Sequence, residues 1–89
     1  MSDLPVVRKF MKKPVVIEAV RLGSIGDIKR VANWINSNGG TARVADEYLI
    51  IDTLEGSMEA VLGSWVIKGV KGEFYACAAD IFIMTYEDA

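Results

Sequence analysis

A chain of 89 residues is one domain's worth of polypeptide, and a domain of that size buries only about 60% of the surface its unfolded chain exposes. Apolar residues make up 52% and charged residues 25%, a globular composition that excludes wholesale disorder, and no apolar stretch approaches the roughly 20 residues that cross a bilayer. With no histidine, one cysteine and a net charge of −2, the chain has neither an internal disulfide nor the usual base that activates a nucleophile.

Met1 to Val7 is expected to be a flexible leader, and residues 8–89 a single globular domain without linker, repeat or low-complexity segment. Residues 1–30 hold seven Lys and Arg against three Asp and Glu, whereas residues 31–89 hold three against nine. The dense basic cluster Arg8, Lys9, Lys12 and Lys13 is read as a solvated entry segment that keeps a strand edge from pairing. Duplex binding needs several phosphate contacts, which the acidic remainder opposes, so nucleic acid is not an expected partner. Nothing at the N-terminus combines a basic start, an apolar run and a small-residue cleavage site, and cysteine is not paired, so a cytoplasmic location is expected.

Pro14 opens the first strand, Val15 to Leu22, with Val15, Ile17 and Ala19 on one face and Glu18 among Val16 and Val20 on the other. Ser24 and Asp27 resemble a capping box ahead of the helix-period residues Ile28, Val31, Ala32 and Ile35. That helix, about residues 25–37, ends in Asn36-Ser37-Asn38-Gly39-Gly40, where Asn or Gly supplies a left-handed closing residue.

Beyond Gly40 the period changes from 3.6 to 2. Strands are predicted at Thr41 to Val44, Tyr48 to Thr53, Ser57 to Val61, Trp65 to Lys68 and Glu73 to Ala76, with glycine-bearing turns between them. Asp80 is expected to cap a single helical turn through Ile81-Phe82-Ile83, and Thr85-Tyr86 to return as an edge strand. The fold class is α+β: a curved, mostly antiparallel sheet of five to six short strands, with one amphipathic helix packed on Leu49, Ile51, Ile67 and Phe74. Apolar residues on both strand faces mean that the sheet either closes toward a small barrel or docks its second face on another molecule, and a homodimer is one way to cover it.

The run Trp65 to Tyr75 is the most distinctive stretch. Gly69-Val70-Lys71-Gly72 spells the GxxG loop of KH domains, but here strands flank it, and a two-strand turn needs glycine regardless of function. Lys68 and Lys71 with the loop amides of Gly69 and Gly72 would suit an anion or an acidic protein patch. Asp46, Glu47, Asp52, Glu55 and Glu59 crowd one region without a calcium-loop spacing and read as a solvated acidic face. Cys77 reads as a small buried residue. Trp34, beside the helix stripe, and Trp65, at a strand start, are either core residues or interface anchors. No catalytic, cofactor or metal residues are assigned, and the chain is not expected to be an enzyme.

Lys12-Lys13-Pro14-Val15-Val16-Ile17-Glu18-Ala19, Thr53-Leu54-Glu55-Gly56, Lys68-Gly69-Val70-Lys71-Gly72-Glu73-Phe74-Tyr75 with Cys77, Asp80-Ile81-Phe82 and Thr85-Tyr86-Glu87 together resemble the small phage and prophage proteins labelled PGDYG-type, from Arg8 to Glu87. The resemblance implies a phage or prophage origin and the bacterial host's cytoplasm, and it implies no activity. Where that family reads Pro-Gly-Asp before its aromatic, this chain has Leu62-Gly63-Ser64-Trp65, so the eponymous motif lacks its proline and acid. A turn role for the motif survives that change, and the shared surface is expected at Lys68 to Tyr75, with Glu73 and Tyr75 flanking the loop. The expected function is a non-catalytic interaction module acting on a host or phage protein. The alternatives are a binder that sequesters a nucleotide-like anion, and a minor virion component.

Overall fold

The computed structural model describes residues 6–89; part of the predicted leader, residues 1–5, lies outside them. Eight elements follow in chain order: β1 (Glu18–Arg21), α1 (Ile25–Ser37), β2 (Ala42–Val44), β3 (Tyr48–Thr53), β4 (Gly56–Val61), β5 (Trp65–Lys68), β6 (Phe74–Cys77) and α2 (Ala79–Thr85). The strands form two antiparallel three-stranded sheets, β1-β5-β6 and β2-β3-β4, neither of them closed. This is the α+β architecture that the change of period predicts, with six strands divided between two sheets rather than joined in one.

Helix α1 covers the core because its apolar residues recur at helical spacing: Ile28, Val31, Ala32 and Ile35 are all buried. They meet Ala42, Leu49, Ile51 and Ala60 from β2-β3-β4 and Leu22, Val66 and Phe74 from the end of β1 and its sheet. Ser24 is the N-cap in extended conformation, but its side chain makes no capping bond. The Asp27 carboxylate instead accepts from the Gly23 N–H at 3.0 Å and from Arg30 at 3.1 Å, so it closes the helix start one residue further out than a capping box would. Desolvation tends to raise the Asp27 carboxyl, yet the Gly23 amide and the Arg30 guanidinium outweigh it and hold the group below the usual carboxylate value.

The helix end shows a division of labour between adjacent glycines. Gly39 takes φ +87°, the left-handed conformation that lets the chain leave α1, and the Gly40 N–H returns to the Ile35 carbonyl at 3.0 Å. Asn36 then fastens α1 to the neighbouring sheet: its Nδ2 donates to the Ala42 carbonyl at 3.0 Å, and its Oδ1 accepts from the Ala42 N–H at 2.8 Å. Both main-chain groups of Ala42 on the outer edge of β2 are thereby satisfied by one side-chain amide.

The sheet β1-β5-β6 has two differently used faces. The register sets Val20, Val66 and Ala76 in one row and Ala19, Ile67 and Tyr75 in the next, and adjacent rows point to opposite sides. Val66 and Phe74 enter the core with α1, whereas Ile67, equally buried, lies on the other face. Ile67 therefore does not pack on the helix as its sequence position suggests. That second face is covered in part by α2 rather than left open: Trp65 on β5 stacks on Phe82 at 4.1 Å between ring centroids and 6° between planes.

Three further expectations are corrected. The first strand begins at Glu18, not Val15, because its partner β5 ends at Lys68, directly opposite Glu18, where the chain turns away into Gly69. Helix α2 runs seven residues, Ala79–Thr85, behind the N-cap Ala78, so Asp80 stands inside the first turn, where its Oδ1 accepts from the Ile81 N–H at 2.9 Å, and does not cap it. Thr85-Tyr86 forms no strand. Thr85 closes the helix with its hydroxyl on the Ile81 carbonyl at 2.8 Å, and Tyr86 follows in extended conformation as the C-cap. Phe82 and Tyr86, four apart, turn onto the same side and pack at 5.0 Å, which gives this segment a reason to be helical that strand pairing does not offer. Among the described residues no helix is long and apolar enough to cross a membrane.

Candidate functional site: an aromatic row and two grooves

The second face of β1-β5-β6 carries a continuous aromatic row. Trp65 stacks on Phe82, Phe82 leans on Tyr86, and the Tyr86 hydroxyl lies 3.4 Å from the Tyr75 hydroxyl. Two shallow grooves flank Tyr86, both walled on one side by Pro14, Val15 and Ile17. One, of about 450 Å³, opens between Lys12 and Lys13 and the Glu73, Tyr75 and Glu87 side. The other, of about 580 Å³, has Trp65 and Phe82 in its floor and Val16 and Ile83 along its walls.

The hairpin loop that invites an anion is already occupied by its own chain. The Gly69 N–H donates to the Glu73 carbonyl at 2.7 Å, the Gly72 N–H to the Gly69 carbonyl at 3.0 Å, and the Lys71 N–H to Glu73 Oε1 at 3.2 Å. The Glu73 side chain lies where a Cβ on Gly69 would stand, so glycine there makes room for a carboxylate and not for a ligand. A carboxylate inside the turn repels the phosphate that the lysines would attract.

The residues singled out in the sequence divide between two faces. Trp65, Gly69, Glu73 and Tyr75 come together around the aromatic row and the first groove. Lys71 and Gly72 stand at the hairpin tip, with Gly72 at φ +81°. Lys68 belongs to the opposite side, where its Nζ reaches Asn38 Oδ1 at 3.4 Å. Trp34 is also on that side, half-buried and edge-on to Phe74 at 5.2 Å, so it borders the core and does not join Trp65. Residues that the sequence reading left out of the site are Lys12, Lys13, Phe82 and Tyr86; the spacing of Phe82 and Tyr86 was the available signal. Cys77 is half-buried with its thiol free. Asp52 bonds to Ser57 at 2.8 Å, and among the described residues no group of three or more His, Cys, Asp or Glu is placed to hold a metal ion.

Desolvation, the Tyr86 hydroxyl and the charge of Glu73 push the Tyr75 phenol up to about 12 from its ordinary 10. A raised pKa in the folded state means that the neutral phenol stabilises the fold. That contribution is complete below about pH 10 and is lost as pH rises toward 12. The phenolate absorbance of the folded protein should therefore show one tyrosine titrating late, and Tyr75→Phe should remove that component and flatten the alkaline fall in stability. A Tyr75→Phe protein with an unchanged titration would contradict the half-buried hydroxyl pair.

Family-model, curated-protein and solved-structure comparisons return no match for this chain, so the site is read from its own residues.

Proposed function

We propose that this chain is a small non-catalytic accessory protein of phage or prophage origin that acts in the bacterial cytoplasm as an interaction module on a host or phage protein. The observation that carries the reading is the outer side of α2 beside the second groove: Ile83 is 75% exposed, Met84 83%, and Val16 across the groove 77%. Side chains of this size scattered singly need no explanation, but here Ile83 and Val16 line one groove together with the half-buried Trp65, and Met84 lies next to Ile83 on α2, which is the anatomy of a protein contact with an aromatic anchor. The self-filled hairpin loop takes support away from the anion-sequestering alternative.

Site-specific photocrosslinking tests it. A photoreactive residue at position 83 should join the chain to one discrete protein in extracts of its host, and the same probe at position 71, on the hairpin tip, should not. Crosslinks of equal yield from both positions, or none from position 83, would overturn the reading.

A further inference from the structure

We infer that this chain pairs with a second copy of itself by exchanging arms: residues 6–13 of each copy lie across the outer face of the β2-β3-β4 sheet of the other. Residues 6–16 belong to no helix or strand and are exposed throughout. Within that arm Val6, Val7, Phe10 and Met11, exposed at 87%, 83%, 81% and 92%, alternate in pairs with Arg8, Lys9, Lys12 and Lys13. The Arg8 guanidinium lies over the Phe10 ring at 5.0 Å, so a cation and an aromatic are offered together. Large apolar side chains gathered in one exposed segment mark a contact surface rather than a solvated one.

The β2-β3-β4 sheet carries the complement. Its inner face is taken by α1 and β6. The register sets Tyr48, Ile50 and Asp52 of β3 on the outer face, with Val61 opposite Tyr48 and with Arg43 and Glu59 on either side of Ile50. Tyr48, Ile50 and Val61 thus form an apolar patch bordered by Asp52 and Glu59. Asp46 and Glu47 in the turn before β3, and Glu55 in the turn after it, carry the negative charge past both ends of the strand. Five carboxylates against the single Arg43 leave residues 42–61 with four negative charges, and the arm has four positive charges and no acid. Among the described residues the one ion pair is Arg30 with Asp27, so neither set of charges is paired within its own chain.

Each arm is badly placed to cover its own acidic face. Lys12 and Lys13 border the first groove beside Tyr75 and Tyr86, on the face of β1-β5-β6 turned away from the core, and the acidic face lies beyond the core. Stacked sheets stand about 10 Å apart. Residues 6–11, about 20 Å when extended, are therefore used up in rounding both sheets before they can lie along the far one. A second copy meets the arm directly, and because each chain carries both surfaces, reciprocal exchange neutralises both and closes as a two-fold pair.

Light scattering during size exclusion should give twice the 9.8 kDa chain mass at low salt and a falling mass as salt is raised. Arg8→Glu, Lys9→Glu, Lys12→Glu and Lys13→Glu together make both surfaces of one chain negative; Asp46→Lys, Glu47→Lys, Glu55→Lys and Glu59→Lys together make both surfaces of another positive. Each variant alone should dissociate, its dissociation constant raised roughly ten-fold or more, and an equal mixture of the two should regain the dimer mass. Independently of whether the variants fold, a photoreactive residue at position 10 of isotope-labelled chain, mixed with unlabelled chain, should crosslink heavy to light within residues 42–61. A wild-type monomer overturns the inference, as do folded variants that dimerise alone or stay monomeric when mixed, and crosslinks that fall within one chain or outside that segment. Because Ile83 and Met84 take no part, the dimer is decided separately from the crosslinked partner.

Discussion

Ile51→Ala is expected to destabilise the protein by about 2–5 kcal/mol, read as a fall in the urea midpoint. Ile51 is fully buried at the centre of β3, opposite Ala42 on one side and Met58 on the other, and its side chain enters the cluster under α1. Truncation removes the transfer free energy of three carbons and leaves a cavity that neither neighbouring strand can collapse into without breaking its ladder. A chain of 89 residues has about 4–13 kcal/mol of stability in all, so this one change removes a large share of it. Ile50, one residue earlier, lies half-exposed on the other face between Arg43 and Glu59. Ile50→Ala should cost less than about 1.5 kcal/mol. Equal losses at the two positions would mean that the face assignment of β3 is wrong.

The second large effect is expected where nothing apolar is removed. A Cβ placed on Gly40 would stand 2.6 Å from Ile35 Cγ2 and 2.6 Å from Phe74 Cδ2, and both of those side chains are buried in the core. Gly40→Ala should therefore destabilise by about 1–3 kcal/mol through overpacking, which for a domain of this size lowers Tm by roughly 4–8 °C per kcal/mol. Gly39→Ala next door has no such neighbour and carries only the strain of a side chain at φ +87°. Pairing each substitution with Phe74→Leu separates the two causes: the smaller partner should relieve Gly40→Ala and leave Gly39→Ala as it was. If Phe74→Leu gives no relief at position 40, the close approach of α1 to β6 is contradicted.

Much of this fold was legible because the signals are local. Helix α1 follows from the spacing of Ile28, Val31, Ala32 and Ile35, and β3 and β5 from period-2 runs bounded by turns. What the sequence concealed was which partner each face would meet. Val15-Val16-Ile17 has strand chemistry, but pairing depends on how far β5 extends, a property of a segment some fifty residues later. Ile67 is as apolar as Val66, and only the register of β5 against β1 and β6 puts it on the α2 side. Asn36 looks like helix-end punctuation, yet its amide completes the outer edge of β2. The candidate site was half visible for the same reason: Trp65, Glu73 and Tyr75 stand in the distinctive run, whereas Lys12, Lys13, Phe82 and Tyr86 reach them only through tertiary packing. Lys68 and Trp34 were grouped with them by proximity in sequence and by residue type, but strand alternation sends Lys68 to the opposite face, and Trp34 on α1 borders the core there, edge-on to Phe74.

The central claim is that this chain works by holding another protein, and native mass spectrometry of the tagged protein recovered gently from host extract tests it most directly, since one spectrum reports subunit count, bound proteins and bound small molecules. The account predicts a stoichiometric host or phage protein on the wild-type chain that disappears when Ile83 and Met84 are both changed to Asp. Recovery of the chain with only a small adduct that is lost on denaturation, or with a protein that the double variant still retains, would contradict it.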